Sequence, residues 1–218
     1  MNIFVSANNT NQGKTYTCLK LLELFSKKGY KVGVMKPIET GVSNIPEDGY
    51  KLFEKVKKLN PSFCNLSIND IVPIRYELPA APFISGKVDF EKIRLSYEKI
   101  KPLCDILLIE GAGGLLVPVS ENFKMIDFLK FFNAKLFLVI GSRLGMINDF
   151  LLNKYYLEQN EIQYVWAINL FDEKDYLSVS HLFMKQFFPL FIQKDLDKIS
   201  QKLLDRRING CCRIKNPS

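Results

Sequence analysis

The sequence predicts an α/β fold in which a mostly parallel central sheet is flanked by helices, and two patterns support this prediction. Short apolar runs have the length of buried strands, at residues 3–5, 32–35, 106–109, 136–140 and 165–168. Helical patterns separate these runs, at residues 14–28, 49–59, 90–101, 126–132 and 147–160. Buried strands that alternate with helices are connected by crossovers, which make neighbouring strands parallel.

Length and composition favour one soluble domain over residues 1–218. A chain of 218 residues is an ordinary size for a single core, and its 47% hydrophobic residues suffice to fill one. The sequence has no apolar run long enough to span a membrane, so we expect no membrane segment. Its first residues lack the basic and apolar regions of a signal peptide, which predicts a cytoplasmic protein.

The net charge of +7 raises the question of nucleic-acid binding. The lysines, however, are scattered among acidic and apolar residues, and charge without a reading motif is a weak signal. Positive potential also attracts small anions such as nucleotide phosphates. We therefore expect no nucleic-acid partner, and a basic nucleic-acid-binding module is a competing interpretation.

Cysteine and histidine usage argues against several kinds of site. The five cysteines include no CxxC pair, which disfavours disulfides and a zinc site and fits a reducing compartment. Cys211 and Cys212, adjacent near the end of the chain, are interpreted as incidental. His181 is the only histidine, and it lies in a stretch, 177–188, whose pattern predicts an amphipathic helix. A Ser/His or Cys/His hydrolase needs a positioned base, so we do not expect one.

Two stretches, 44–48 and 73–87, predict long functional loops. The second contains Pro73, Pro79 and Pro82, which prevent a regular helix throughout. In parallel sheets of this kind, ligands bind at the carboxyl ends of the strands. The residues that follow each predicted strand are therefore the candidates for a functional site.

The first predicted strand leads into SANNTNQGKT, residues 6–15, which ends as a phosphate-binding loop does. Unpaired N–H groups and the dipole at a helix start favour phosphate, and Gly13 lets the backbone approach it closely. Lys14 supplies a charge for the outer phosphates, and the Thr15 hydroxyl can bind magnesium. An ordinary capped helix is the alternative interpretation of this motif alone.

The beginning of the same loop departs from the strict motif. Asn8 occupies the position of the opening glycine, or Ala7 does if the loop is one residue longer. Asparagine tolerates left-handed backbone geometry, so we expect Asn8 or Asn9 to hold the turn.

The second predicted strand is followed by VMKPIETG, residues 34–41, in which Lys36 lies close to the expected phosphate loop. Pro37 sets the direction in which the chain leaves the strand. A second lysine here would neutralise charge that develops on phosphate, and Thr40 would hydrogen-bond a substrate. Asp48, in the next loop, is a candidate to face a metal ion. Taken alone, Lys36 would be a surface lysine at a strand end.

The third predicted strand leads into LLIEGAGGLLVP, residues 107–118. Glu110 ends the buried run, and Gly111, Gly113 and Gly114 allow a tight backbone path against a ligand. A carboxylate at a strand end opposite a phosphate loop is where magnesium is held. Without a cation or hydrogen-bond donors a buried glutamate would be costly, so Glu110 predicts a metal-phosphate site.

Together these motifs resemble those of the dethiobiotin synthetase family, the ATP-dependent ligases of biotin synthesis, over residues 1 to about 170. The resemblance rests on GKT at 13–15, KPIETG at 36–41, PAAP at 79–82, EGAGG at 110–114 and VIGSRLGMIN at 139–148. It implies a homodimer with a P-loop NTPase-like fold. It also implies the conversion of 7,8-diaminononanoate, CO2 and ATP to dethiobiotin, ADP and phosphate.

The resemblance implies a role for each matching residue. The catalytic residues would be Lys14 and Lys36, which hold the carbamate and the phosphates, and Mg2+ would be bound by Thr15, Asp48 and Glu110. The nucleotide would contact Asn11, Gln12, Gly13, Lys14, Thr15, Tyr16, Asp48, Glu110, Gly111, Ala112, Gly113 and Asn169. The diamine would contact Thr10, Lys36, Thr40, Pro79 and Gly113. Its carboxylate end would be held across the dimer interface by Leu144, Gly145, Met146, Ile147 and Asn148.

The chemistry implied by the resemblance explains these residue types. One substrate amine takes up CO2 as a carbamate, ATP phosphorylates the carbamate, and the second amine closes the ring. Carbamate and triphosphate are both anions, and two lysines with a metal ion offset their repulsion. No side-chain nucleophile is needed, in agreement with the single histidine.

The region expected to recognise the base departs from the family pattern. Asn169 stands where family members place an asparagine against the purine, but the family segment with proline, glycine and glutamate is not evident near 189–195. Asn169 and Asp172 also resemble a pair that reads guanine. We therefore predict loose base selection, in which other nucleoside triphosphates are accepted beside ATP.

A partitioning-type P-loop ATPase is a further alternative. Such proteins typically carry an additional lysine early in the phosphate loop, where this chain has Asn8 or Asn9. This difference favours the ligase interpretation.

Overall fold

The structure is a computed structural model that describes residues 1–205, so Cys211 and Cys212 lie outside the described residues. Its strands are β1 (Asn2–Ala7), β2 (Val32–Met35), β3 (Ile38–Thr40), β4 (Ile74–Tyr76), β5 (Ile106–Gly114), β6 (Pro118–Ser120), β7 (Phe123–Lys124), β8 (Lys135–Gly141) and β9 (Tyr164–Asn169). Its helices are α1 (Lys14–Lys27), α2 (Glu47–Leu59), α3 (Ile68–Ile71), α4 (Pro82–Ser85), α5 (Phe90–Ile100), α6 (Phe128–Phe131), α7 (Met146–Gln159), α8 (Glu173–Val179), α9 (His181–Met184) and α10 (Leu196–Leu204). Within residues 1–205, no helix combines the length and the hydrophobicity that crossing a bilayer requires.

The central sheet consists of five parallel strands in the order β2-β5-β1-β8-β9. Each of the five predicted apolar runs forms one of these strands, which confirms the predicted α/β fold class. In the register, Val5 lies beside Glu110 and Gly141 lies beside Asn169. Because the strands run in the same direction, their carboxyl ends meet at one edge of the sheet.

β1 and α1 both contribute fully buried side chains to the core. Ile3, Phe4 and Val5 are fully buried in the middle of the sheet, and α1 buries Leu21 and Phe25. Burying a side chain of this kind stabilises the fold by about 1.5–3 kcal/mol. The segment between β1 and α1 therefore starts and ends on firmly packed elements.

The predicted loop over 73–87 is partly wrong, because it contains β4 and α4. β4 pairs in parallel with β3, and the register places Ile38 beside Ile74 and Thr40 beside Tyr76. Pairing between segments so distant along the chain leaves no signal in the local sequence pattern. The pairing brings Pro79 against Gly41, where an added Cβ would lie 3.2 Å from the Pro79 Cβ.

The predicted loop at 44–48 is also partly wrong, because α2 begins at Glu47. Asp48 therefore lies in the first turn of a helix. Glu39, on β3, accepts hydrogen bonds from the backbone N–H groups of Asp48 and Gly49, at 3.0 and 2.9 Å. A carboxylate from another element thus stabilises the start of α2.

The single amphipathic helix predicted over 177–188 is wrong. The chain forms α8, α9 and a 3₁₀ turn, Lys185–Phe187, with a break at Ser180. Asp172 caps α8 by accepting a hydrogen bond from Asp175 N at 3.0 Å, which starts that helix earlier than the apolar pattern does. The His181 ring contacts the edge of Tyr176, with 5.7 Å between ring centroids.

Candidate active site

A cavity of about 670 Å³ opens at the carboxyl edge of the central sheet. Most of the residues predicted to form the site line it, namely Thr10, Asn11, Gly13, Lys14, Thr15, Tyr16, Lys36, Thr40, Asp48, Glu110, Ala112, Gly113 and Asn169. Sequence reasoning missed four further lining residues, Glu39, Leu170, Phe171 and Gln193. The parallel strand order accounts for this convergence, since loops that are distant in sequence leave the same edge.

The phosphate loop turns through two left-handed residues, Asn11 with φ of 55° and Gly13 with φ of 90°. An added Cβ at Gly13 would lie 2.1 Å from the Asn169 Nδ2, so this position accepts only glycine. The prediction that Asn8 or Asn9 holds the left-handed turn is wrong. Asn11 holds it instead, together with Gly13, the residue that directly precedes α1.

Asn8 contributes to the loop through its side chain. Its Oδ1 accepts a hydrogen bond from Gly141 N at 3.2 Å, and its Nδ2 donates to Asp149 Oδ2 at 3.0 Å. These contacts tie the start of the loop to the end of β8 and to α7. The residue that replaces the opening glycine therefore connects the loop to its neighbours.

Lys14 begins α1 and is almost fully buried in the cavity wall, where its Nζ donates to the Asn9 carbonyl at 3.1 Å. Burial lowers the pKa of Lys14 to about 8, although the Glu110 carboxylate opposes the shift. A phosphate beside the amine would favour its charged form and raise the pKa again. Lys14 is thus suited to bind an anion.

Lys36, directly after β2, is the centre of the charged groups. Its Nζ donates to Glu110 Oε1 at 2.5 Å and lies 3.7 Å from Asp48 Oδ2. Burial lowers the pKa of Lys36, but Glu110 and Asp48 outweigh burial and raise it above its usual range. The Thr15 hydroxyl donates to the same Glu110 oxygen at 2.9 Å. Lys14, Thr15, Lys36, Asp48 and Glu110 are together called the charged cluster below.

The charged cluster fits a divalent cation. Glu110 Oε2 is buried and, within residues 1–205, has no hydrogen-bond partner. Such an orphaned oxygen is costly, and a cation would satisfy it. Asp48 and the Thr15 hydroxyl supply further oxygen ligands, and Mg2+ commonly combines one or two carboxylates with phosphate and water oxygens. Among the described residues, no group of three His, Cys, Asp or Glu side chains lies in a metal-binding arrangement.

Comparison with known proteins decides the family. A model of the AAA domain family matches residues 1–187. The chain is 44% identical over 191 residues to the ATP-dependent dethiobiotin synthetase BioD of Sulfurovum sp. (strain NBC37-1), with 86% of this chain and 91% of that relative covered. This chain belongs to the dethiobiotin synthetase family. The resemblance predicted from the motifs is therefore confirmed.

Two further comparisons support the family and the fold, respectively. The BioD relative of Wolinella succinogenes is 36% identical over 211 residues, which cover 93% of this chain and 97% of the relative. A crystal structure of a plasmid partition protein from Borrelia burgdorferi covers 93% of this chain and 97% of its own, with a TM-score of 0.54 and 13% identity. This likeness concerns the fold alone, and it supports the P-loop NTPase-like architecture.

Some residues predicted from the dethiobiotin synthetase pattern lie outside the cavity lining. Gln12 is 9% exposed and Gly111 packs against Phe4. Pro79 adjoins Gly41 beside the cavity rather than in its lining. The contacts predicted for these residues with nucleotide or substrate stay predictions.

The family resemblance predicts that the segment 144–148 of this chain binds the substrate's carboxylate. This segment also lies outside the cavity lining. Leu144 is 91% exposed, and Gly145, with φ of 92°, directly precedes α7. Leu144, Gly145 and Asn148 are exposed around the start of α7, Ile147 is half-buried and Met146 is buried. The contact across a dimer interface predicted for these five residues stays a prediction.

The wall made by Asn169, Leu170, Phe171 and Gln193, here called the β9 wall, lies after the last strand of the sheet. Gln193 Nε2 donates to Asn169 Oδ1 at 2.7 Å and to the Leu170 carbonyl at 3.1 Å, and Gln193 Oε1 accepts from Leu170 N at 3.2 Å. Asn169 Nδ2 donates to the Gln12 carbonyl at 3.1 Å. The polar groups of this wall are thus paired with one another and with the phosphate loop. No motif in the sequence predicts that Gln193 lines the cavity.

Proposed function

We propose that this chain is an ATP- and Mg2+-dependent dethiobiotin synthetase. It carboxylates 7,8-diaminononanoate (7,8-diaminopelargonate) with CO2 and closes the ureido ring, giving dethiobiotin, ADP and phosphate. Membership of the dethiobiotin synthetase family supports this reaction. The observation that carries the site assignment is the convergence of Lys14, Lys36 and Glu110 in one cavity.

The two lysines bring together reactants that repel each other. The substrate amine and CO2 form a carbamate, whose negative charge opposes the approach of ATP. Lys36 offers the carbamate a permanent cation, because Glu110 and Asp48 raise its pKa. Lys14 offers a second cation to the phosphates at the start of α1. Both ammonium groups lie in a buried wall, where they stabilise transferring charge more strongly than in water.

The chain acts by positioning rather than by covalent catalysis. A carbamate oxygen attacks the γ-phosphorus of ATP, and the bond to the ADP oxygen breaks. The second amine then attacks the carbamoyl carbon, phosphate leaves, and the ring closes. Thr15, Asp48 and Glu110 would hold Mg2+, which supplies positive charge to the phosphate oxygens when bound. Holding the reacting groups at contact distance converts these steps into nearly unimolecular ones.

We assign the diamine to the part of the cavity lined by Thr10, Thr40 and Gly113, next to Lys36 and close to Pro79. The substrate's carboxylate would then reach the start of α7, residues 144–148, of a second copy of the chain. The high exposure of Leu144 supports a role for this helix start in contact with another chain. Sedimentation of the protein at assay concentrations should give the mass of a homodimer.

The nucleotide would lie on the backbone of residues 11–13 and 111–113, beside Tyr16, with its base at the β9 wall. Because Asn169 and Gln193 are paired with protein groups, we expect loose base selection. We place the enzyme in the cytoplasm, with small molecules and a second copy of itself as partners and without a nucleic-acid or membrane partner.

The decisive experiment supplies the purified protein with diamine, bicarbonate, Mg2+ and ATP and measures dethiobiotin by mass spectrometry. Product that requires all four components would support the ligase. Nucleotide hydrolysis that is indifferent to the diamine would instead favour a partitioning-type ATPase. Salt-dependent retention on DNA without nucleotide turnover would favour a nucleic-acid-binding module.

A further inference from the structure

Glu39 is a buried carboxylate in the cavity wall to which the proposed chemistry assigns no role. It is 6% exposed, and each carboxylate oxygen accepts a backbone hydrogen bond from the first turn of α2. The donors are Asp48 N, at 3.0 Å, and Gly49 N, at 2.9 Å. The side chain therefore binds a helix start rather than facing open solvent.

The start of α2 depends on this contact. The residue preceding the helix is Pro46, and within the described chain it provides no side-chain cap. Capping groups normally come from that position, where a side-chain oxygen accepts an N–H bond. Glu39 supplies both the acceptor oxygens and a negative charge, which the positive end of the helix dipole favours.

Gly49 allows α2 to approach Glu39. An added Cβ at Gly49 would lie 3.1 Å from Glu39 Oε2 and 2.1 Å from the Val72 Cγ2. A larger residue would push the helix start away from β3. The lack of a side chain at Gly49 is therefore needed for the contact between Glu39 and the start of α2.

The contact determines where Asp48 lies. The Asp48 side chain is 44% exposed, so packing of the side chain itself holds it only weakly. Its backbone N–H, in contrast, is bound to the buried Glu39, and its carboxylate points toward Lys36, with 3.7 Å between Oδ2 and Nζ. Through its hydrogen bonds to the first turn of α2, Glu39 sets the position of a residue in the charged cluster.

We propose that Glu39 is a positioning residue, which caps α2 from β3 and thereby holds Asp48 where a metal-nucleotide complex binds. This role depends on the proposed metal contact of Asp48. If this role is correct, loss of Glu39 weakens metal binding although Glu39 itself does not contact the metal.

The test measures the affinity of the full chain for Mn2+ by electron paramagnetic resonance of the free ion, in the presence of a non-hydrolysable ATP analogue. Groups that orient a metal ligand typically contribute tenfold or more to metal affinity, so Glu39→Ala should weaken Mn2+ binding about tenfold. Glu39→Gln keeps one acceptor oxygen and should give an intermediate loss. It also serves as the readout if the alanine variant does not fold.

Asp89→Ala is the matched control. Asp89 caps α5 by accepting a hydrogen bond from Lys92 N at 3.0 Å, and it does not line the cavity. This variant should lower thermal stability and leave Mn2+ affinity unchanged. If Asp89→Ala weakened Mn2+ binding as much as Glu39→Ala, general destabilisation would explain both, and the role of Glu39 would be rejected.

Asp48→Ala distinguishes the proposed metal contact of Asp48 from the proposed positioning role of Glu39. If Asp48→Ala weakens Mn2+ binding but neither Glu39 variant does, the positioning role is overturned while the metal contact stands. If Asp48→Ala leaves Mn2+ binding unchanged, the metal contact itself is wrong and the role of Glu39 is overturned with it.

Discussion

The charged cluster takes its residues from several elements, whereas the β9 wall joins one strand end to a segment 24 residues further along the chain. In the charged cluster, Lys36 and Glu110 are buried ions whose contacts leave the Glu110 Oε2 without a partner within residues 1–205. In the β9 wall, Asn169 and Gln193 bind protein groups at both ends of their amides. One part of the cavity is thus arranged for a charged ligand, whereas in the other both ends of each amide already have a protein partner.

This difference predicts that changes in the charged cluster affect the reaction most strongly. Lys36→Gln should lower dethiobiotin formation about 10³-fold, because it removes a preorganised charge from the transferring group. It should also destabilise the fold by about 3 kcal/mol, since Glu110 is left as a buried, unpaired carboxylate. Product formation and thermal unfolding measure the two effects separately.

The control for this variant is the double substitution Lys36→Gln with Glu110→Gln. Two neutral amides can hydrogen-bond without a buried charge, so thermal stability should return while activity stays lost. Product formation at the normal rate by Lys36→Gln would contradict the role given to Lys36.

Gly13→Ala tests a position at which the phosphate loop lies against the β9 wall. The added Cβ would strain a left-handed residue and collide with Asn169 Nδ2, which lies 2.1 Å from the Cβ position. A cost of about 2 kcal/mol corresponds to about 30-fold weaker binding of a non-hydrolysable ATP analogue, measured by calorimetry. Gly29→Ala is the matched control, because Gly29 has φ of 86° but a Cβ there would face open space. Equal binding losses in both variants would show that the contact with Asn169 is irrelevant.

The same contrast explains how far the sequence predicts the site. Lys36 directly follows an apolar strand run, Glu110 follows another, and Lys14 begins the helix that the loop after the first strand leads into. The parallel sheet then brings the three residues together. Glu39 and Gln193 act through contacts with residues 9 to 24 positions away, as in the bonds to Asp48 N and Asn169 Oδ1. Such contacts depend on where α2 and the segment after α9 pack, and local periodicity does not encode that packing.

Secondary structure shows the same division between local and distant signals. The five apolar runs, which are local signals, predict the central strands to within about two residues at each end, except that β5 continues from Ile109 to Gly114. β3 and β4, in contrast, exist because they pair with each other, and α2 starts earlier than its apolar pattern because Glu39 caps it. β3, β4 and the first turn of α2, which sequence reasoning missed, each have a stabilising partner on another element.

The preference of the enzyme among nucleoside triphosphates tests whether the β9 wall recognises the base. A site that offers hydrogen bonds to one base rejects the others strongly, whereas an apolar surface discriminates weakly. With Asn169 and Gln193 engaged, we expect kcat/KM values for ATP, GTP, CTP and UTP to agree within about tenfold. Competition assays at saturating diamine measure the ratios. A preference for ATP of about a hundredfold or more would reject loose selection and would mean that Asn169 or Gln193 exchanges its protein contact for the base.

The smallest effect is expected from Gln193→Ala. The substitution removes the hydrogen bonds to Asn169 and Leu170, and a loss of about 1 kcal/mol should raise the KM for ATP about fivefold. Because Gln193 does not belong to the charged cluster, kcat should remain unchanged. Gln186→Ala is the control, since Gln186 Nε2 donates to an exposed carbonyl of Phe183 at 2.9 Å and lies outside the cavity lining. A fall in kcat at constant KM would mean that the β9 wall acts on the transferring phosphate, and the separation between the two regions would not hold.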